Sequence, residues 1–425
     1  MVQNEYDAVV IGAGQAGLGV SFFLHQYGRK HIVYERKRIG ESWLSQRWDS
    51  FHLNTPNSIN SLPGYPFRCP DPDNFSTQRE LVAYFRAYID YFNLPVHTGV
   101  NVTVVEPAEA DHKRFCVRIE ADEYPERSVL SRVVVVASGT QHTPKVPAFH
   151  TNLAEEIAQM HSAAYRCPSK LPPGAVVVVG SGQSGCQIAE DLLDEGRKVY
   201  LCSSRVGRVP RRYRGRDMME WMTEMRYFDT PYENLADKSV SMTAQPQISG
   251  VGRCGHSVSL QYLASKGAVI LGRLLDVQRG DLILGDDAPA NVRFADDFSQ
   301  RMKSDVDEYL IGSGFELPPL EEDPADVPDP QAGCAYSLSK LSLGQAGVSA
   351  VIWATGFSAD FSWIHLPMLD QRNQPVHRGG ISPVPGLYFL GFPWLNSRKS
   401  GILYGVEEDA RRITDSINAY LVNGS

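Results

Sequence analysis

Apolar residues along this chain cluster in short unbroken runs, and several of the runs stop at a glycine turn. Tyr6 to Val10 leads into Gly12-Ala13-Gly14-Gln15-Ala16-Gly17, and Ala175 to Val179 leads into Gly180-Ser181-Gly182-Gln183-Ser184-Gly185. Runs of that length, rich in Val, predict strands, and the segment after each turn predicts a helix. His31 to Tyr34 and Lys198 to Cys202 predict a further strand in each unit. Val133 to Ala137 and Val351 to Ala354 read as two buried strands, each ending near a glycine, Gly139 and Gly356. Gly386 to Gly391 encloses a short strand. From about Gly401 the chain predicts a last helix with Val406, Ala410, Ile413 and Ile417 on one face. Strands alternating with helices predict an α/β class built on parallel sheets.

Both turns fit G-x-G-x-x-G in the strand–turn–helix context that gives the pattern meaning. In each, the first glycine permits a tight turn, the second lets backbone N–H groups approach a pyrophosphate, and the third lets helix pack close on strand. The phosphates then sit at the positive end of a helix. Two copies predict two Rossmann-like dinucleotide-binding units in one chain, and so electron transfer between bound nucleotides. The residues beyond each turn tell the two units apart. Glu35 lies 23 positions after Gly12 and suits a ribose 2′-OH, while it would repel a 2′-phosphate. The same offset from Gly180 falls on Ser203, with Ser204 and Arg205 next and Arg208 close by. Hydroxyls and a cation suit a 2′-phosphate through charge-assisted hydrogen bonds. FAD is expected at the first site and NADPH at the second.

Composition narrows the class without changing it. The chain has 425 residues, 43% of them hydrophobic, which is enough for two or three domains with large cores. A net charge of −8 argues against nucleic acid as a partner. No apolar run approaches membrane-spanning length, and the start at Met1-Val2-Gln3-Asn4 lacks a secretory pattern, so a cytoplasmic location is expected. Cys69, Cys116, Cys167, Cys186, Cys202, Cys254 and Cys334 are scattered, with no C-x-x-C. That fits reduced thiols, with no disulfide framework and no metal site. It also argues against a disulfide reductase, which needs two closely spaced redox cysteines beside its flavin. Pro144, Pro147, Pro168, Pro172 and Pro173 mark a linker into the second unit. The segment from about 210 to 256 reads as a partly helical insertion rich in Arg, Met and aromatics, a lid or substrate wall or else a surface decoration. Glu316 to Pro330 reads as an acidic, proline-rich loop.

Together the two glycine motifs, Glu35, Gly40 with Trp43, Arg47-Trp48-Asp49, Ala354-Thr355-Gly356 and Gly386 to Gly391 resemble the flavin-containing monooxygenases. The chain also looks like bacterial flavoproteins labelled potassium-transport related. The resemblance implies a discontinuous FAD domain, 1–165 and 346–425, around an NADPH domain at 166–345. It implies FAD contacts from Gly12, Gly14, Gln15, Ala16, Gly17, Glu35, Arg36, Trp43, Thr355, Gly356 and Gly391. It implies NADPH contacts from Gly180, Gly182, Gln183, Ser184, Gly185, Ser203, Ser204 and Arg205. The family's linker fingerprint ends here as His161-Ser162-Ala163-Ala164-Tyr165, but its F-x-G start is broken, because Thr151 stands two residues after Phe149 where glycine is usual. A terminal Tyr leans toward N- or S-oxygenation. Leu53-Asn54-Thr55-Pro56, with Leu62 to Phe67, matches a family segment that sets an asparagine beside flavin C4a, so Asn54 takes the catalytic position. From spacing alone Asn54 would instead make a local Asx turn before Pro56. Ser400 is expected to cap the last helix, whose N-terminus would face the flavin.

The activity implied is transfer of one oxygen atom from O₂, through a flavin C4a-hydroperoxide, to a small nitrogen or sulfur nucleophile. Baeyer–Villiger oxygenation and NADPH oxidase activity remain alternatives, as does a non-catalytic sensor of NADPH or redox state. The substrate is not legible, and a homodimer stays open.

Overall fold

A computed structural model describes residues 4–109, 114–122, 127–327, 338–371 and 373–423. Cys334 and the end of the acidic loop, 328–330, lie outside the described residues. Two sheets, the first mixed and the second parallel, carry the two glycine turns. The first has seven strands. Its path runs β3 (Val96–Thr98), β2 (His31–Glu35), β1 (Glu5–Ile11), β6 (Ser128–Val136), β5 (Phe115–Glu120) and β4 (Asn101–Pro107). The strand Leu387–Phe389 joins β6 over Val134 to Val136, while β5 pairs with β6 over Ser128 to Ser131. One edge of β6 thus stays on β1 in parallel from Leu130 to Val136, while its other edge carries antiparallel β5 first and the parallel strand Leu387–Phe389 after it.

The second sheet has five parallel strands, in the order Val269–Leu271, Val199–Cys202, Ala175–Val179, Val348–Trp353 and Ala158–His161. This moves both crossovers between units. Ala158–His161 was expected in the first unit and Val348–Trp353 in its C-terminal part, yet both pair within the second sheet. The reason is packing. Val351 and Ile352 lie fully buried, level with Val177 and Val178, and a run apolar on both faces suits the interior of a parallel sheet covered on both sides. The first unit resumes with the segment leading to Leu387.

Helix α1 (Gln15–Gln26) buries Leu18, Val20, Phe23 and Leu24 on the first sheet. The last helix, Val406–Asn423, packs on α1 through Gly19, where an added Cβ would lie 2.6 Å from Val406. It starts at Val406, later than expected. Ser400 does not cap it. Its hydroxyl accepts from the N–H groups of Asn396 and Ser397 and closes a loop ahead of the helix. The segment 210–256 holds a two-stranded hairpin (Arg212–Tyr213 and Arg216–Asp217), a short helix Met218–Glu224 and several 3₁₀ turns. Its Met218, Trp221, Met222 and Phe228 are buried against Met302, Val306 and Leu310 of the long helix Ala288–Gly312, so it is a packed wall with its own small core. Among the described residues no helix is long and apolar enough to cross a membrane.

The aromatic seam beneath the last helix gives a direct test. Phe389 is fully buried and meets the rings of Phe361, His377 and Phe392. Phe389→Ala is expected to lower unfolding free energy by about 3–5 kcal/mol, read by urea denaturation of the purified protein. A loss under about 1 kcal/mol would show that the seam is not a close-packed core.

Candidate functional site

The two glycine turns are built alike, atom for atom in their constraints. Register sets Ile11 level with Tyr34 and Val136, and Val179 level with Cys202 and Trp353, so each turn leaves its sheet at the carboxyl edge. Gly12 and Gly180 have φ of 108° and 106°, the left-handed side that favours glycine. A Cβ on Gly12 would lie 2.6 Å from the Ala137 carbonyl oxygen, and one on Gly180 would lie 2.5 Å from that of Ala354. Gly17 and Gly185 pack under the turn, where a Cβ would stand 1.9 Å from the Gly12 oxygen and 1.8 Å from the Gly180 oxygen. Gly14 and Gly182, the N-caps of α1 and of α4 (Gln183–Asp194), face open space. Neither helix has an acidic residue in its first turn or a side chain bonded to its N-cap groups. The free N–H groups and the absent Cβ leave a cradle of the kind a phosphate fills.

Gln15 and Gln183 open the two helices in the same way. Gln15 Nε2 donates to the Gly401 carbonyl at 3.1 Å, and Gln183 Nε2 donates to that of Ser249. Each turn is thereby tied to a distant segment. Gln183 Oε1 also accepts the Ile248 N–H at 2.8 Å, and Gln247 Nε2 donates to the Ser181 carbonyl, so 247–249 lies across the second turn. Ala16 and Ser184 come next in the helices, and Gly391 sits so close to Ala16 that a Cβ would lie 2.7 Å from it.

The ends of the neighbouring strands differ. Glu35 Oε2 accepts the Ala13 N–H at 3.0 Å and its Oε1 accepts the Lys37 N–H at 2.9 Å, which fixes a carboxylate beside the first turn. At the second turn the tie runs the other way, with the Ser181 hydroxyl accepting the Ser204 N–H at 2.9 Å. Ser203 is turned inward. Its hydroxyl donates to the Leu271 carbonyl at 2.7 Å and accepts from Asn291 at 3.1 Å, so it does not point to the crevice. Arg208, read as a second cation there, is buried and paired with Asp296 and Asp326, each at 2.8 Å. Half-buried Ser204 and exposed Arg205 are what remain, with the Arg205 guanidinium 4.5 Å from the centroid of the Phe294 ring.

Of the other expected contacts, Arg36 is exposed beside Glu35, and Trp43 is half-buried under the Arg47 guanidinium, 5.2 Å from its ring centroid. Arg47 donates to the Gln46 carbonyl and has no carboxylate partner among the described residues. Burial lowers its pKa to about 10. Thr355 and Gly356, expected at the flavin, follow directly on the Val348–Trp353 strand at the end of the second sheet. Thr355 Oγ1 donates to the Lys145 carbonyl, and the Gly356 carbonyl accepts from His161 Nε2 at 2.9 Å. His161 Nδ1 accepts the Ala163 N–H, so Nε2 carries the proton, and burial lowers its pKa. Tyr165, which ends the linker fingerprint, donates to Asp191 at 2.6 Å.

Asn54 stands at the meeting of the two units. It makes no Asx turn. Its Oδ1 accepts Gln187 Nε2 from α4 at 3.3 Å, its carbonyl accepts Arg211 Nη1 at 2.9 Å, and its Nδ2 is left without a protein partner among the described residues. Arg211 is buried, ion-paired with Asp217 and set over the Phe75 ring at 4.6 Å. Ser50, four residues earlier, donates to Asp191 at 2.6 Å, and burial raises that carboxyl. Gln183, Gln187 and Asp191 therefore share one face of α4 that grips both the insertion and the loop carrying Asn54. Gln187 and Arg211 were missed from sequence. The four-residue spacing of Gln183, Gln187 and Asp191 was a readable sign of a polar helix face, whereas nothing in the sequence marks Arg211.

Several polar atoms around these turns are shut from solvent and unpartnered among the described residues: Gln15 Oε1, Ser138 Oγ, Gln187 Oε1 and Gln247 Oε1. Buried polar groups are normally bonded, so their clustering here fits bound polar ligands. The donor set and both open cradles fit two dinucleotides. No disulfide joins the described cysteines, and no cluster of His, Cys, Asp and Glu suited to a metal occurs among the described residues.

The family described as pyridine nucleotide-disulphide oxidoreductase matches residues 9–262. An uncharacterized CzcO-like oxidoreductase of Geobacillus kaustophilus is 31% identical over 98% of this chain and 99% of its own length. A flavin-containing monooxygenase from Stenotrophomonas maltophilia has the same fold, with a TM-score of 0.65 at 19% identity, over 98% of this chain and 99% of that one. OTEMO in complex with FAD and NADP superposes with a TM-score of 0.57 at 17% identity, over 99% of this chain and 86% of that one.

The contrast among the glycines is testable. Gly14→Val is expected to leave a folded protein that retains no FAD, because its side chain enters the open cradle. Gly17→Val is expected to prevent folding, because nothing can yield at 1.9 Å from a backbone oxygen. Flavin absorbance and thermal melting together read both, and a fully flavin-loaded Gly14→Val protein would overturn the assignment.

Proposed function

The chain belongs to the pyridine nucleotide-disulphide oxidoreductase family, and we propose that it is an FAD- and NADPH-dependent monooxygenase acting on a small nitrogen or sulfur nucleophile. The observation that carries this reading is the junction at Asn54, where two open dinucleotide cradles are joined through Gln187 and a side-chain amide is left with a free donor. FAD and NADP in the OTEMO complex support the cofactor pair, and the Stenotrophomonas maltophilia enzyme supports the reaction class.

Bound FAD and NADPH would supply the two electrons that activate O₂, one atom of which goes to the substrate and the other to water. The chain's own residues supply placement. Backbone N–H groups at Gly14 and Gly182 would hold the two pyrophosphates at helix N-termini. Glu35 would accept ribose hydroxyls at the first site, and Ser204 with Arg205 would take the 2′-phosphate at the second. Asn54, with Oδ1 held by Gln187, would present Nδ2–H to a reacting oxygen. An amide can donate a hydrogen bond there without giving up a proton. The insertion, anchored by Gln247 and Ser249 across the second turn, would keep water from the junction.

Stopped-flow reduction by NADPH, and then reoxidation with O₂ and a panel of amines, thioethers and ketones, tests the reading. NADPH-dependent bleaching with oxygenated amine or thioether is the expected result. Ketone insertion would shift the assignment to Baeyer–Villiger chemistry, peroxide alone to an oxidase, and bleaching that never occurs to a sensor. A colourless protein that takes up no flavin would overturn the whole reading.

Two variants refine it. Arg205→Ala is expected to raise KM for NADPH by about tenfold or more while leaving KM for NADH within about twofold, since a charged hydrogen bond is lost only with the phosphate. Asn54→Ala is expected to be reduced at the normal rate but to release more peroxide per NADPH. Unchanged coupling would remove Asn54 from the mechanism.

A further inference from the structure

The loop between Gly391 and the last helix carries two adjacent cations with opposite fates. Lys399 is paired with Asp229 at 2.7 Å and Glu408 at 2.6 Å. Arg398 has no carboxylate within ion-pair distance among the described residues. Its guanidinium lies 4.2 Å from the Tyr227 ring centroid and 4.5 Å from that of Trp394. Its Nε is shut from solvent and unpartnered, as is Nε1 of Trp394, which is only 4% exposed. Trp394 is also held at φ 56°, a left-handed conformation that strains a residue with a Cβ. Strain, two orphaned donors and an unpaired cation thus coincide on one loop.

The loop is rigidly placed. Ser397 pairs antiparallel with Pro231, and the N–H groups of Arg398 and Lys399 donate to the carbonyls of Thr230 and Phe228 in the insertion. At its far end the Gly401 carbonyl takes Gln15 from the first glycine turn. Tyr227 belongs to an apolar cluster with Met225, Ile402, Tyr404 and Ile59, the last five residues beyond Asn54. Asp305, the carboxylate that acts on Tyr227, is exposed and makes no ion pair with Arg398.

We propose that Arg398, with Trp394 Nε1–H, binds the carboxylate of an organic-acid substrate whose apolar body lies on the cluster around Tyr227. This rests on the monooxygenase reading for the reaction but not for the binding. A guanidinium stacked on aromatic faces keeps its N–H fork edge-on and preorganised for a planar anion. A carboxylate would satisfy both orphaned donors with charge-assisted bonds. A neutral ester offers only an uncharged acceptor, so its bonds to the same donors would be weaker.

Calorimetric titration of the oxidised flavoprotein with 4-(methylthio)benzoate and with its methyl ester tests this. The acid is expected to bind at least about tenfold more tightly than the ester. Arg398→Gln should abolish that preference with flavin content and ester affinity unchanged, Arg398→Lys should keep part of it, and Trp394→Phe should weaken the acid alone. Equal affinities in the parent protein, no binding of either compound, a preference that survives Arg398→Gln, or loss of flavin in that variant would each overturn the proposal. Sulfoxide analysis with NADPH in air separates the two readings. Selective acid binding without sulfoxide sinks the oxygenase and leaves the carboxylate site. Sulfoxide from both compounds at equal affinity does the reverse.

Discussion

Everything in this molecule hangs on a strand-end carbonyl pressed against an α carbon that has no side chain. The Ala137 oxygen does this to Gly12 and the Ala354 oxygen does it to Gly180, at distances no Cβ could tolerate. The contact lets the chain reverse within one residue of the sheet edge and start a helix there. Gly17 and Gly185 then seat each helix on the turn's own carbonyl. The outcome is electrostatic as much as steric. Two helix N-termini, without acidic residues in their first turns, point their free N–H groups over the carboxyl edges of two sheets. A ligand with phosphates completes what the backbone leaves unbonded.

Having two such sites would achieve nothing if they faced apart, and helix α4 prevents that. Its core face, with Cys186, Ile188, Ala189 and Leu192, seats it on the second sheet. Its polar face reaches Ser249 through Gln183, Asn54 through Gln187 and Ser50 through Asp191. Buried Glu190 extends the same edge, accepting the Val251 N–H and pairing with His256, and these partners hold its pKa low despite burial. Hydrogen bonds of this kind add little net stability each, but a buried donor or acceptor left unpaired costs more. The seam therefore specifies one relative placement of the units more than it strengthens them.

Much of this was legible from sequence because the glycine pattern encodes a steric demand that any fold must meet. Both turns, the strands before them and the contrast between Glu35 and Ser203 were readable as residue types at fixed spacing. The direction of a side chain was not. Ser203 occupies the expected offset, but on a strand end one residue decides between core and crevice, and Leu271 and Asn291 hold it in the core. The Val348–Trp353 strand resembles Val133–Gly139 so closely because it plays the same part in the other unit, a symmetry that spacing alone assigned to the wrong sheet. The last helix starts a turn later than Gly401 and Ser400 suggest, because a local turn claims that serine through the N–H groups of Asn396 and Ser397. The insertion was least legible, since its order comes from partners far away in the chain.

Charge is distributed with the same selectivity as polar contacts. With eight more acidic than basic side chains, this chain has carboxylates to spare, and it uses them on Arg208, Arg211, Arg214 and Lys399. Arg47, Arg205 and Arg398 receive none among the described residues. Each lies over an aromatic ring, that of Trp43, Phe294 or Trp394. A ring face holds the guanidinium plane and offers nothing to its N–H edge, so the cation is fixed in place yet stays unspent. The three sit beside the first turn, beside the second and on the loop where the insertion meets the first unit. Under the proposed function, Arg205 and Arg398 stand where a cofactor phosphate and a substrate carboxylate would bring negative charge.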